Sequence, residues 1–228
     1  METVLITGAN RGIGLALARR LLTDGYRVLA TCRTPSAAAE LAGLAGTGDL
    51  EVLPLDVADA AAVDGFAGVL AGRPLDVLVN NAGVMGGPRQ SADDMDYAAW
   101  AEAFAVNTMA PLRLAQALKR NLLQAARPRV VTLSSQMGAL SRHSPGAIAY
   151  RSTKAAVNKA MQTLALDWRA EGIVVCPVHP GWVRTDMGGP NADLDVTDCA
   201  RGLAALIAGL DLSRSGHFLT WEGEEHPW

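Results

Sequence analysis

Thr3-Val4-Leu5-Ile6-Thr7-Gly8-Ala9-Asn10-Arg11-Gly12-Ile13-Gly14 is the stretch that decides the fold. A short apolar, β-branched run meets a turn with glycines at 8, 12 and 14, and an Ala/Leu-rich helical pattern begins at once. Glycines in such a turn let the backbone double back tightly and approach a pyrophosphate, while the free amides of the helix start attract its charge. The spacing alone is weak, because glycine fills 23 of the 228 positions. Its place between the first strand and the first helix gives it weight over an ordinary tight turn. Gly8, Asn10, Arg11, Gly12, Ile13 and Gly14 are therefore candidate nucleotide-contacting residues.

Outward from this stretch, further runs rich in Val, Leu and Ile recur at Arg27 to Thr31, Leu50 to Leu55, Leu75 to Val79, Arg129 to Leu133 and Ile173 to Val178. They are almost wholly apolar, as strands are when both faces of a sheet are covered. Helical patterns lie between and beyond them at 12–24, 36–45, 59–71, 95–126, 150–171 and 197–209. This alternation predicts an α/β fold: a Rossmann-type, doubly wound parallel sheet of about seven strands, counting a short last one at Phe218-Leu219-Thr220, with helices on both faces. No repeat or linker divides residues 1–228, which are expected to form a single dinucleotide-binding and catalytic domain. Gly188-Gly189-Pro190-Asn191 reads either as a surface turn or as a mobile flap over a site.

Composition narrows the function classes. Half of the residues are hydrophobic, 19% are charged and the net charge is -3, with no basic run to engage nucleic acid or an anionic membrane. No apolar stretch is long enough to span a bilayer, so no membrane partner is expected. Cys32, Cys176 and Cys199 show no paired spacing, and the four histidines fall in no ligand motif, so neither a disulfide framework nor a metal is expected. A reducing, cytoplasmic setting and a small-molecule substrate fit this balance. Acyl transfer ranks low because the sharp G-x-S-x-G turn of a serine hydrolase is absent.

The nucleotide type is read at the end of the second strand, Ala30-Thr31-Cys32-Arg33. A carboxylate there would bond a ribose 2'-hydroxyl and favour NAD(H). Arg33, with Arg11, can instead clamp a 2'-phosphate by charge-assisted hydrogen bonds, so NADP(H) is favoured and NAD(H) stays open. Asp56, followed by Val57 after the third strand, either accepts a bond from an adenine amino group or caps the next helix, for which Asp59 is the better candidate. Asn80, Asn81, Ala82 and Gly83 follow the fourth strand, where small residues let a cofactor lie against the backbone or simply make a turn.

Tyr150 and Lys154 stand four apart in a helical segment and so share a face. A free phenol is a poor acid or base at neutral pH, and a nearby ammonium draws its pKa toward the working range. The chain has three lysines and three tyrosines, so a chance pair at this spacing is uncommon. Ser134 and Ser135 end the fifth strand, at the edge where parallel sheets bind ligands; a hydroxyl there polarises a substrate oxygen or forms a turn. Asn107, ahead of Pro111, favours a local break in its helix and a side-chain amide free to hold a water in a proton path.

These residues in this order resemble the short-chain dehydrogenase/reductase family over nearly the whole chain: Thr7-Gly8-x-x-x-Gly12-x-Gly14, Asp56, Asn80-Asn81-Ala82-Gly83, Asn107, Ser135, Tyr150-x-x-x-Lys154, and Pro180-Gly181 followed by Thr185. The segments at 135–138, 150–158 and 179–190, with Pro227-Trp228, resemble its C-factor and sniffer-like carbonyl reductase branch. The resemblance implies an oxidoreductase that interconverts a carbonyl and an alcohol. Tyr150 would donate the proton, Ser135 hold the substrate oxygen, Lys154 hold the nicotinamide ribose and Asn107 support a water relay. Val183 and Thr185, after Pro180 and Gly181, would meet the carboxamide. The family's usual serine lies thirteen residues before the tyrosine, and Met137 occupies that position here. Ser135, fifteen before it, implies a two-residue extension in the Ser141 to Ala147 loop. The resemblance also implies a homodimer through the 95–126 and 150–171 helices. It raises one alternative, a C-factor-like nucleotide-binding signalling protein with little turnover.

Overall fold

The computed structural model describes residues 1–70 and 72–228. Seven parallel strands form one sheet: β1 Thr3–Thr7, β2 Arg27–Cys32, β3 Leu50–Pro54, β4 Val77–Asn80, β5 Arg129–Leu133, β6 Val174–His179 and β7 Leu219–Thr220. Their spatial order is β3-β2-β1-β4-β5-β6-β7. The chain winds outward from β1 to β3 and then crosses back to β4, which opens a crevice beyond the carboxyl ends of β1 and β4, where ligands of doubly wound sheets bind.

Alternation along each strand splits the core in two. Val4, Ile6, Val28, Ala30, Val77 and Val79 meet Leu17, Leu21 and Leu203 on one face. Leu5, Leu29, Leu78, Val130 and Val175 meet Phe66, Leu114 and Met161 on the other. The first face is covered by α1 (Gly12–Thr23) and α8 (Val196–Gly209). The second is covered by α3 (Ala60–Leu70), α5 (Ala110–Ala117) and α7 (Ile148–Asp167). Both faces of every inner strand are thus removed from water, which is why the strand sequences carry almost no polar residues.

The helices differ in kind from the sequence reading at two segments, 36–45 and 95–126. The 36–45 pattern yields a 3-10 turn, Pro35–Ala37, and only the short α2, Ala39–Ala42, because Pro35 fixes the chain early and Gly43 and Gly46 end it. The expected helix at 59–71 spans Ala60–Leu70, and its last expected residue, Ala71, lies outside the described residues. The 95–126 segment is no continuous α-helix. It comprises α4 (Tyr97–Phe104), a π-helical turn (Ala105–Met109), α5 and α6 (Lys119–Leu122). Pro111 cannot donate its amide, and the wider π turn takes up the mismatch without breaking the helical path.

Candidate active site

The glycine turn is built from two distant segments. Thr7 Oγ1 accepts hydrogen bonds from the amides of Asn81 (3.0 Å) and Ala82 (3.1 Å). The Asn81 amide group donates to the carbonyls of Thr7 (2.7 Å) and Gly8 (3.0 Å). Gly14 lies against this brace so closely that a Cβ there would come within 2.5 Å of Asn81 Nδ2 and 2.6 Å of Gly8 O, so no larger residue fits. Gly8 and Gly12 have φ of 64° and 55°, the left-handed region that glycine takes at little cost. Arg11 leads into α1 with no side-chain cap, and the first turn of α1 carries no acidic residue. Its amides and the helix dipole thus present an uncompensated positive end. A water-sized void under the crevice is lined by Thr7, Val57, Asn80, Ala82, Val106 and Pro111.

Around this turn the expected cofactor residues divide. Arg33 is exposed at the end of β2 and has no ion-pair partner among the described residues, so its guanidinium is free for an anion. Arg11 does not share that freedom: its Nη1 pairs with Asp186 at 2.9 Å, across the mouth of the turn. Asp56 accepts from the Ala58 amide (2.9 Å), while Asp59 caps α3 through Ala61 and Ala62. Asn80 is buried and its amide group braces Thr132 Oγ1 (3.1 Å). Beyond Pro180 and Gly181, Val183 is buried, and the Thr185 methyl would lie 3.4 Å from a Cβ on Gly12. Trp182 Nε1 donates to the Gly188 carbonyl (2.9 Å) and folds the 181–189 loop on itself. The residues thus fit a dinucleotide: an open helix start, a close-packed glycine turn and a free cation at the second strand end.

At the far side of the crevice, Ser135, Tyr150 and Lys154 are all buried. Gly138 lets the 3-10 turn after Ser135 press on α7, since a Cβ there would stand 2.5 Å from the Lys154 carbonyl carbon. Ser135 Oγ accepts from the Met137 amide (3.1 Å), and its hydroxyl draws the pKa of the neighbouring Tyr150 phenol down. Met137 contributes main chain here, so the hydroxyl beside the phenol belongs to Ser135. Ser134 instead points its hydroxyl at the Lys154 carbonyl (3.4 Å).

The electrostatics correct the expected pairing. Lys154 Nζ lies 5.6 Å from the centre of the Tyr150 ring and donates to the Leu133 carbonyl (2.8 Å). Burial, with no carboxylate to offset it, lowers its pKa to about 8. The Tyr150 phenol is pushed above its ordinary value by burial, and the Ser135 hydroxyl opposes only part of that rise. The protein alone therefore holds the phenol protonated, as a proton donor requires.

Asn107 is also more engaged than expected. Its Oδ1 accepts from the Val84 amide (2.9 Å), and its Nδ2 donates to the Val84 carbonyl (2.8 Å) and to Thr153 Oγ1 (3.0 Å). It joins the π turn, the segment after β4 and α7 rather than leaving its amide free. Gln90 escaped the sequence reading: its Oε1 accepts from the Tyr150 amide (3.1 Å), and its Nε2 donates to the carbonyls of Met85 and Gly87. Nothing local marks a glutamine sixty residues before the tyrosine for this task. Among the described residues, no cluster of His, Cys, Asp and Glu could hold a metal, and no helix is long and apolar enough to cross a membrane.

Residues 2–194 match the short chain dehydrogenase family, and the chain belongs to it. Within that family, it is 44% identical over 164 residues to the C-signal of Myxococcus xanthus, covering 72% of this chain and 98% of that protein. The NADPH-bound carbonyl reductase from chicken fatty liver superposes with a TM-score of 0.93 at 34% identity, covering 100% of this chain and 99% of its own. The carbonyl reductase Sniffer of D. melanogaster gives the same TM-score at 31% identity, with both chains covered fully.

Proposed function

We propose that this protein is an NADP(H)-dependent carbonyl reductase, acting on an aldehyde or ketone with alcohol oxidation as the reverse, and that residues 1–228 work as one domain. What supports the reading is the convergence of a protonated phenol, a second hydroxyl and a buried ammonium at one edge of the crevice. Tyr150 gives its proton to the substrate oxygen, and Ser135 holds that oxygen in line with the phenol. Lys154 lies beneath the tyrosine ring, where its charge favours the phenolate once the proton has left. Asn107 fixes the main chain that carries Gly83 against the lysine. When bound, the nicotinamide supplies or accepts the hydride. The glycine turn would take the pyrophosphate, Arg33 the 2'-phosphate, Asp56 the adenine side, and Val183 and Thr185 the carboxamide. The NADPH-bound reductase from chicken liver, alike over its full length, supports the choice of cofactor and reaction. We further propose a cytoplasmic homodimer.

Similarity to the C-signal protein favours a second reading, nucleotide binding with little turnover in a signalling or regulatory role. One experiment separates the two: oxidation of NADPH and of NADH over a panel of aldehydes and ketones, by wild type and Tyr150→Phe. We expect wild-type turnover with preference for NADPH, and a fall in kcat of about 10²- to 10⁴-fold in the variant with NADPH binding retained. Wild-type rates in the variant would sink the proton-transfer role. Equal efficiency with NADH would sink the cofactor choice, and binding without turnover would establish the regulatory reading.

A further inference from the structure

The segment between Ser135 and Tyr150 joins two residues of the candidate site, and residues 139–147 are its loop. From Leu140 to Gly146 every residue is exposed. At the α7 end, Ala147 adopts a left-handed φ of 53°, the one non-glycine residue to do so among the described residues. That strain is held by the Ile148 amide, which donates to the Gln90 carbonyl (3.1 Å). At the other end, the Gly138 contact fixes the turn against α7. Between these anchors, one hydrogen bond among the described residues ties the loop to a distant part of the chain: the Ser141 amide donates to the Trp228 carbonyl at 3.0 Å.

Trp228 is itself held. Residues 221–226 fold back on β7, with the Thr220 amide donating to the Glu224 carbonyl (2.8 Å) and the His226 amide to the Phe218 carbonyl (2.7 Å). The Phe218 ring is fully buried and contacts both the Trp228 ring (5.6 Å between centres) and the His226 ring (4.8 Å). His226 stands edge-on to His179 at 5.7 Å, directly before Pro180 and Gly181. A single run of residues therefore bridges the loop beside Ser135 and the strand end that leads into the Pro180–Thr185 segment.

We infer that Trp228 is a positioning residue for substrate: packed against Phe218, it clasps the 139–147 loop at Ser141 and so fixes the wall facing a carbonyl held between Ser135 and Tyr150. Trp228 itself touches neither the glycine turn nor Arg33 and reaches the Pro180–Thr185 segment only indirectly, through Phe218, His226 and His179, so its loss falls first on the substrate side. Its kinetic consequence rests on the carbonyl-reductase reading; its structural consequence does not.

The test compares wild type, Trp228→Ala and Trp228→Phe by hydrogen exchange, NADPH titration and kinetics on the best carbonyl of the panel. Truncation to alanine should raise exchange in peptides covering 139–147 and raise the KM of the carbonyl by about threefold to tenfold, the scale set by losing one aromatic pair. The dissociation constant for NADPH should stay within about twofold, since Trp228 itself touches none of the proposed cofactor contacts, and phenylalanine should restore loop protection and KM. Unchanged exchange in 139–147 on Trp228→Ala overturns the clasp, as does NADPH affinity falling in step with KM. If wild type reduces no carbonyl, the functional reading fails, and the exchange measurement still decides whether the clasp exists.

Discussion

The sheet buries one cation at each end, and the two are handled in opposite ways. At the amino end of β5, Arg129 has no exposure; its Nη1 donates to the Ile207 carbonyl on α8 (3.1 Å) and its Nη2 lies 2.6 Å from the Glu2 carboxylate. At the carboxyl end, Lys154 is buried with a single carbonyl partner and no carboxylate. Neutralised charge at the first end joins β5, α8 and the start of β1. Uncompensated charge at the second lowers the lysine pKa and leaves an electrostatic demand that a bound anion or a phenolate can meet. Burial of charge thus serves cohesion at one edge, and at the other it is what the proposed chemistry would draw on.

The contrast breaks most sharply on Lys154→Met. Turnover should fall by about 10²- to 10⁴-fold while the melting temperature rises, because a buried ammonium with a depressed pKa destabilises the fold at every pH below about 8. The cost fades as pH climbs toward the ordinary lysine value, so the gain in melting temperature should shrink in alkaline buffer. A variant that melts lower at pH 7 would remove the distinction between the two cations. Arg129→Met should do the reverse, lowering stability by about 2–3 kcal/mol in a denaturant titration, since Glu2 and the Ile207 carbonyl lose their partner, with turnover near wild type at 25 °C. A large loss of kcat in the folded variant would show that the two ends are not independent.

A smaller effect sharpens the boundary between them. His179, at the end of β6, is buried beside His226 and Arg142, and its pKa is lowered to about 4, chiefly by burial. The unfolded chain takes up its proton near pH 6.5 and the folded one only near 4, so this histidine removes stability as pH falls through that window. Between pH 7 and pH 5 the loss is about 2 kcal/mol, and His179→Gln should flatten that part of the stability profile. An unaltered profile would assign acid sensitivity to other groups.

Much of the fold and part of the candidate site can be read from the residues themselves. Strands with both faces covered announce themselves as apolar runs, and β1 and β5 fall at their expected bounds. Tyr150 and Lys154 are legible because a spacing of four on a helix is local geometry. The raised phenol pKa is not, because it depends on everything packed around the ring. The same applies to Asn107, whose partners Val84 and Thr153 come from two other segments, and to Gln90 and Arg129, whose tasks are set by chain 60 and 127 residues away. The break in the 95–126 helix is intermediate: Pro111 announces a disturbance, but only packing decides that a π turn absorbs it.

The brace of Thr7 by Asn81 and Ala82 also bears on how the molecule assembles. The glycine motif occupies only residues 3–14, yet the hydrogen bonds that shape it span 73 to 75 positions. Closing so long a loop is an entropic hurdle that must be crossed before those bonds can form. An emerging chain therefore carries the complete motif for some time without its native shape, and the turn matures only when the fourth strand docks beside the first.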